Sequence, residues 1–403
     1  MVCIGIDVSK GKSTVCMIKP YGEIIFKPFE IEHTISGLSV LVNMIKNLNE
    51  DSRVVMESTG IYHFPVLQTL QKNGIFVSVI NPYRMKRFRC QSIRQVKTDK
   101  LDAIAIANFG IANWFSLKNN VSNVSNVSFY SELKSLMQFY RNLMENHIKS
   151  LLELTYLLDQ TMPGIKDLFN SFNEKNGKNK LADIASTFCH YDNITKYSES
   201  EFILIYNKWC KEKGYYSSNS KAIKLYELAK NNIPTLPSTT TSTTMLVKEA
   251  CRVLTEIDAT LFKILSQMQN IARNIPEYNI VRKMAGVGDI LSVKLIAEIG
   301  DINRFHNAKA LVAYAGIDSP PFQSGQYNAP KRSISKRGSS SLRKVGYETM
   351  MSLKAHDYCG DAVYDFIIKK ESEGKPKKVA KIAGLNKFLR IYYARIKEIY
   401  NDK

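Results

Sequence analysis

The stretch VCIGIDVSKGKSTVCMIKPYGEIIFKPFEIE, residues 2–32, decides the fold of the first hundred residues. Val2–Asp7 and Ser13–Ile18 are apolar or β-branched, and Glu23–Ile31 resumes the pattern after the Tyr21-Gly22 turn, so the spacing predicts three adjacent antiparallel strands. A helical pattern from Thr34 to Leu48 follows, then a strand at Arg53–Met56, a helix from about His63 to Asn73 and a strand at Ile75–Ile80 that ends at Asn81-Pro82. Three hairpin-linked strands followed by strand–helix units make an α/β domain that closes near residue 118.

Two of these strands end in acids. Asp7 closes Gly5-Ile6-Asp7, and Glu57 closes Val54-Val55-Met56-Glu57. A third element, Lys97-Thr-Asp-Lys-Leu-Asp-Ala103, opens a helix in which Thr98 or Asp99 serves as cap. Asp99 and Asp102 are three apart and therefore share one helix face. Acids in a first turn also compensate the helix dipole, but the two strand acids need another explanation. Neighbouring carboxylates raise each other's pKa unless a cation neutralises them. Hard oxygen ligands suit Mg²⁺ or Mn²⁺, and such ions serve phosphoryl transfer.

The whole chain, 403 residues with 44% hydrophobic content, is long enough for two or three domains. It has no apolar run of membrane-spanning length, and its first residues lack a signal-peptide pattern, so a cytoplasmic protein is expected. Lys and Arg number 56 against 37 acids, a net charge of +19, which points to a polyanionic partner such as nucleic acid. The seven cysteines are scattered and lack zinc-ligand spacing, so neither disulfides nor structural zinc are expected; Cys189-His190 has no second pair.

Residues 119–128 repeat Asn-Val-Ser as a polar spacer. A long amphipathic helix is expected from Phe129 to Gln160, with Leu133, Tyr140, His147 and Leu154 at heptad spacing, and another from Met245 to Arg273, with Val247, Leu254, Leu261 and Met268. The two could pair as an antiparallel coiled coil or join helices of another subunit. Between them lies a Lys/Asn-rich insert, 163–244, ending in a Ser/Thr run that suits a linker or N-cap. Gly286-Val287-Gly288 then opens a helical run to Ile299, either half of a helix–hairpin–helix that approaches a phosphate or a plain tight turn.

Two segments are strongly basic. Residues 81–100 carry Arg84, Lys86, Arg87, Arg89, Arg94, Lys97 and Lys100 against the single acid Asp99, with Tyr83 and Phe88 interleaved. Residues 331–344 carry Lys331, Arg332, Lys336, Arg337, Arg343 and Lys344 and no acid. Either run is also compatible with a solvated face. Just upstream of the second stands Gln323-Ser324-Gly325. A serine beside guanidinium groups can attack a phosphodiester, although Ser-Gly is equally a common turn.

Taken in order, Gly5-Ile-Asp-Val-Ser-Lys10, Met56-Glu-Ser-Thr-Gly-Ile-Tyr62, Asn81-Pro82, Lys97-Thr-Asp-Lys-Leu-Asp-Ala103, Gly286-Val-Gly288, Gly300-Asp301, Arg304-Phe305, Ala313-Tyr-Ala-Gly316, Gln323-Ser-Gly325, Ile334-Ser-Lys-Arg-Gly338 and Lys375-Pro-Lys-Lys-Val-Ala380 resemble the IS110 family of DEDD transposases, the bridge-RNA-guided serine recombinases. Ser339 stands where that family usually has asparagine. The resemblance covers roughly residues 2–115 and 278–400. It implies an α/β RuvC-like (RNase H-like) N-terminal domain over 1–118, coiled-coil helices over 128–275 and a mainly α C-terminal transposase domain over 278–403 with a helix-hairpin-helix-like element.

By the same resemblance Asp7, Glu57, Asp99 and Asp102 form a metal-binding tetrad and Ser324 is the nucleophile, which would form a phosphoserine intermediate with Mg²⁺ assistance. A structured noncoding guide RNA would pair with donor and target DNA, and the protein would work as a tetramer, a dimer of dimers. The competing expectation is a RuvC-like metal nuclease that resolves junctions, with Ser324 merely structural. A sugar-kinase or actin-like ATPase is disfavoured, because no second Asp-x-Gly-Thr turn and no glycine-rich adenosine motif follow.

Overall fold

The computed structural model of the chain describes residues 1–89, 98–119, 129–169, 172–174, 176–321, 323–324, 327–328 and 333–401; of Gln323, Ser324, Tyr327, Asn328 and Asn401 it describes the backbone. The chain divides into two units, Met1–Val127 and Ser128–Lys403. The Asn-Val-Ser repeats lie outside the described residues.

The first unit is built on a sheet of β1 (Val2–Val8), β2 (Lys12–Ile18), β3 (Ile24–Glu32), β4 (Ser52–Glu57) and β5 (Val77–Ile80), with α1 (Ile35–Lys46), α2 (His63–Lys72), α3 (Pro82–Arg89) and α4 (Asp99–Ala112). Its strand order is β3-β2-β1-β4-β5. β1, β2 and β3 pair antiparallel, as their hairpin spacing requires, whereas β4 joins β1 and β5 joins β4 in parallel. This mixed sheet matches the strand reading closely.

The two faces of the sheet follow from the two-residue period of a strand. Val2, Ile4, Ile6 and Val8 of β1, with Val54 and Met56 of β4, pack against Leu38, Leu41, Val66 and Leu70 of α1 and α2. The alternate residues Cys3 and Val55 pack on the other side with Ile106 and Phe109 of α4. Asp7 and Glu57 share the parity of Cys3 and Val55, so the same alternation directs both acids to the α4 side.

Helix α4 lies close on β1 because two glycines remove the obstacle. A Cβ on Gly5 would stand 2.3 Å from the Ala103 carbonyl oxygen, and one on Gly110 would stand 2.1 Å from Cys3 Sγ. Cys3 thus meets the end of α4 and Gly5 its middle. The helix runs antiparallel to β1, which carries its first turn to the Asp7 end.

The second unit is mostly helical: α5 (Phe129–Thr161), α6 (Ile165–Leu168), α7 (Lys180–Phe188), α8 (Asp192–Thr195), α9 (Glu199–Lys213), α10 (Asn219–Asn231), α11 (Thr241–Ala272), α12 (Tyr278–Arg282), α13 (Gly288–Ile299), α14 (Ala308–Ala315), the two-residue strands β6 (Gln323–Ser324) and β7 (Tyr327–Asn328), α15 (Ser340–Ala355), α16 (Ala362–Ser372) and α17 (Lys377–Asn401). The heptad residues Leu133, Tyr140, His147 and Leu154 of α5 and Val247, Leu254, Leu261 and Met268 of α11 are all buried. Leu133 and Tyr140 share a core with Leu261 and Met268, whereas Leu154 shares one with Val247 and Leu254. The two helices therefore pack on each other and run antiparallel.

At their middle is a buried polar group. Asp258 of α11, fully buried, lies 2.6 Å from His147 Nδ1 and accepts a 2.8 Å hydrogen bond from Asn179 Nδ2. The insert forms its own core on these helices, with Ile184, Phe202, Tyr206 and Leu225 buried. One local expectation changes. Thr241–Thr244, read as part of a linker or cap, already belong to α11, where Thr240 and Thr243 hydroxyls bond each other at 2.8 Å. His190 accepts from the Asp192 amide at Nδ1 and bonds the Leu236 carbonyl through Nε2, which leaves neither nitrogen for a metal.

The glycine turn before α13 has a packing cause. A Cβ on Gly286 would stand 2.8 Å from Leu353 Cα of α15, and both Gly286 and Gly288 adopt positive φ. Among the described residues no helix is long and apolar enough to cross a membrane.

Candidate active site

The acids converge through register. Ile6 pairs with Met56 across the parallel β1–β4 ladder, so Asp7 and Glu57 are the next residues out at the same edge of the sheet. Thr98 caps α4 by accepting from the Leu101 amide, which starts the helix where Asp99 and Asp102 occupy its first turn. Asp99 is exposed and Asp102 is half-buried.

The electrostatics report the same convergence. The Asp7 carboxyl is pushed up from 3.8 to about 6, first by burial, then by the negative charges of Asp102 and Asp99, with a smaller contribution from Glu57; Arg89 acts in the opposite direction. Asp7 therefore feels the charges of three acids from two other elements, β4 and α4.

A cation already stands among them. Arg89, the last residue of α3, places Nη2 3.3 Å from Glu57 Oε2 and Nη1 3.4 Å from Asp102 Oδ1. Among the described residues no three acidic, histidine or cysteine groups are arranged to hold one ion. The donor chemistry nonetheless fits a hard divalent ion. All four groups offer oxygen, and the charges of Asp102 and Asp99 add to burial in raising Asp7, against the opposing pull of Arg89.

Of the residues expected to meet nucleic acid, Lys86 and Arg87 are exposed on α3, and Arg84 lies 5.5 Å from the centroid of the Phe109 ring. Arg89 differs from them, because its guanidinium is spent on the acids. Its spacing in the basic run does not distinguish it from its neighbours, so only the tertiary contact reveals it. Lys97, Lys331 and Arg332 lie outside the described residues, as does Arg94. Lys336 and Arg337 are exposed; Arg343 is half-buried and donates from Nη1 to the Ala315 carbonyl at 2.8 Å, which ties α15 to the end of α14.

Ser324 belongs to the other unit. It is the last residue of β6, and its backbone pairs antiparallel with Tyr327 of β7. The base of the surrounding segment is tied down by a short ladder that the sequence did not announce. The amides of Ser335, Lys336 and Ser339 donate to the carbonyls of Asp318, Gly316 and Tyr314 at 2.8, 3.0 and 2.6 Å. Gly338 permits this closeness, since a Cβ there would stand 2.0 Å from the Tyr314 carbonyl oxygen. The Lys-Arg-Gly motif thus has a structural use, closing the chain on either side of the Ser324 hairpin.

Comparison with known proteins finds family matches in both the first and the second unit. Residues 4–163 match the DEDD transposase family of IS110, described as a transposase, and residues 278–365 match the "Transposase IS116/IS110/IS902 family". The pilin gene-inverting proteins of Moraxella bovis and Moraxella lacunata are each 30% identical over 136 residues, 33% of this chain. The chain matches only 42% of the length of those relatives. The uncharacterized 44.8 kDa protein of insertion element IS116 from Streptomyces clavuligerus is 21% identical over 378 residues, 93% of this chain and 89% of that one. Among solved structures, Thermus thermophilus RuvC, alone and in complex with Holliday junction substrate, is 14% identical over 30% of this chain and 99% of its own, with TM-scores of 0.23 and 0.24.

Proposed function

From the premise that the chain carries IS110-family transposase domains toward both ends, we propose that it is a DNA transposase and recombinase whose chemistry is shared between the acidic cluster and Ser324. What supports this reading is the register that puts Asp7 and Glu57 at one edge of the sheet, with α4 bringing Asp99 and Asp102 near enough for their charges to add to the burial that raises Asp7 to about 6. A cluster of this kind in a chain of net charge +19 suits work on a phosphodiester.

In this reading Ser324 Oγ gives up its proton and attacks the scissile phosphorus, the Oγ–P ester forms as the P–O3′ bond breaks, and the leaving 3′ oxygen takes up a proton in exchange. The enzyme keeps a 5′-phosphoserine, and religation to a new 3′ hydroxyl reverses the step, so no external energy source is consumed. Mg²⁺ or Mn²⁺ held by Asp7, Glu57, Asp99 and Asp102 would supply Lewis-acid stabilisation of phosphate charge. Arg89 would have to give up Glu57 and Asp102 for that ion to bind. Until then it limits the mutual repulsion of the acids. Lys86, Arg87, Lys336 and Arg337, all exposed, are suited to phosphate contacts.

The resemblance further implies a structured noncoding guide RNA that pairs with donor and target DNA, and assembly as a dimer of dimers through the long helices α5 and α11 acting as coiled-coil elements. The test is recombination of donor and target plasmids by purified protein with the RNA encoded at the end of the element and Mg²⁺. Wild type is compared with Ser324→Ala and Asp102→Ala, and denaturing gels report covalent adducts. An RNA-dependent protein–DNA adduct that disappears in Ser324→Ala is the expected result. Metal-dependent cleavage that persists in Ser324→Ala without any adduct would replace this reading with a RuvC-like nuclease acting through the acids alone.

A further inference from the structure

Helix α17 carries Lys377, Lys378, Lys381, Lys387, Arg390, Arg395 and Lys397 against the single acid Glu398. One of its faces borders a groove of about 700 Å³. The floor is apolar, formed by Val379, Ile382 and Ala383 of α17, Phe366 of α16, and Ile317 and Ile334. The rim is cationic, formed by Lys378, Lys387 and Arg390, and none of the described residues lining the groove is acidic. Ile317 and Ile334 flank the segment that carries the Ser324 hairpin, and the ladder described above binds those flanks together.

The parts of this groove differ in how far they are already engaged. Lys387 donates to the Ala362 carbonyl at 2.7 Å and lies 5.1 Å from the Phe366 ring centroid, so it builds the wall. Arg390 Nε donates to Asn386 Oδ1 at 2.9 Å, whereas Lys378 is exposed and has no hydrogen-bond or ion-pair partner among the described residues. Val379, at 52% exposure, leaves about half of an apolar residue open to solvent.

A cationic rim over an apolar, partly aromatic floor matches one ligand chemistry. A duplex presents phosphates and sugars on its outside and keeps its base faces stacked, so it would meet the rim and gain nothing from the floor. An unpaired strand offers both phosphates and free base faces. We propose that this groove binds unpaired DNA, the strand separated at the cut, and leads it toward the Ser324 hairpin. The choice of DNA as the occupant rests on the function proposed above; the preference for an unpaired strand rests on the groove alone.

The test measures fluorescence anisotropy of the full-length protein with fluorescein-labelled oligothymidylate, the matching dA·dT duplex and oligouridylate over a salt series. Val379→Asp places a negative charge on the exposed floor, and Ala383→Leu fills the groove without altering charge. Each is expected to weaken oligothymidylate binding about tenfold, the scale of a lost base-stacking contact, while leaving the duplex within about twofold. The double change Lys378→Gln, Arg390→Gln should reduce the salt slope on the single strand by about 0.7 for each charge removed.

Unchanged oligothymidylate affinity, equal losses on duplex and single strand, or a loss confined to oligouridylate would each overturn the proposal. The serine reading is scored separately by the covalent adduct. An adduct in wild type alongside groove variants that bind normally would sink the groove alone. Absence of the adduct, with the groove variants still losing the single strand, would sink the serine step alone.

Discussion

Gly5 of β1 and Ala103 of α4 are so close that a methyl group on Gly5 would stand 2.3 Å from the Ala103 carbonyl oxygen. This contact sets how near α4 lies to the sheet, and with it the position of Asp99 and Asp102 relative to Asp7. Gly5→Ala is expected to push α4 off the strand. Overpacking of this kind costs about 1–3 kcal/mol, and DNA cleavage should fall by more than about tenfold, because misplaced reacting groups cost at least that. Urea unfolding and a plasmid cleavage assay check the two effects; a variant of wild-type stability and activity would remove the close approach as the positioning device.

Arg89 competes with any divalent ion for Glu57 and Asp102. Arg89→Met should therefore weaken the protein in EDTA by roughly 1–2 kcal/mol, the scale of a partly buried charge-assisted pair. The same change should tighten Mg²⁺ binding several-fold, because the guanidinium no longer has to be displaced. Thermal melts across a Mg²⁺ titration measure both quantities. Weaker Mg²⁺ binding in Arg89→Met would mean that Arg89 supports the ion site instead of competing for it.

The raised Asp7 carries a pH dependence whose sign can be stated. Its folded pKa of about 6 lies above the usual 3.8, so the folded state favours the neutral acid. Stability associated with that proton is fully present below about pH 4 and is lost as pH rises through 6. Asp7→Asn should stabilise the metal-free protein at pH 8, by on the order of 1–2 kcal/mol once solvent screening is allowed for. At pH 4.5 the gain should be much smaller. Denaturant titrations in EDTA at the two pH values test this, and an equal gain at both would contradict the assignment. NMR of the carboxyl carbon should show the Asp7 titration midpoint moving down when Mg²⁺ is added.

Asp258 holds His147 and Asn179 inside the α5–α11 packing. Asp258→Ala leaves two buried polar groups without their partner and should cost about 3–5 kcal/mol, the penalty for breaking a buried polar pair. Exchanging the pair together, Asp258→Leu with His147→Leu, should recover much of that loss. A double-mutant cycle by chemical denaturation gives the coupling energy, and simple additivity of the two changes would show that the pair does not act as a unit.

Much of this architecture was legible in the chain because it depends on local periodicity. The apolar runs in Val2–Val8 and Ser52–Glu57 mark buried strands, and the two-residue period of a strand places Asp7 and Glu57 on one face, since both share the parity of residues that pack against α4. The heptads of α5 and α11 likewise identify the buried line of each helix, and Thr98 announces the start of α4. The antiparallel pairing of α5 with α11 was open between this arrangement and contacts with another subunit. Periodicity says which side of a helix needs a partner, and it does not say which partner.

What the sequence determined by itself is therefore the set of elements, their buried faces and the acids at the strand ends, because each follows from side-chain spacing along a regular backbone. Tertiary structure decided the rest. The use of Gly5 and Gly110 as the seat of α4, the insertion of Arg89 between Glu57 and Asp102, the ladder beneath the Ser324 hairpin and the apolar floor beside α17 all join residues far apart in the chain. A long side chain such as Arg89 can reach several partners at similar cost. Only the packed arrangement of β4, α3 and α4 selects the two acids it meets.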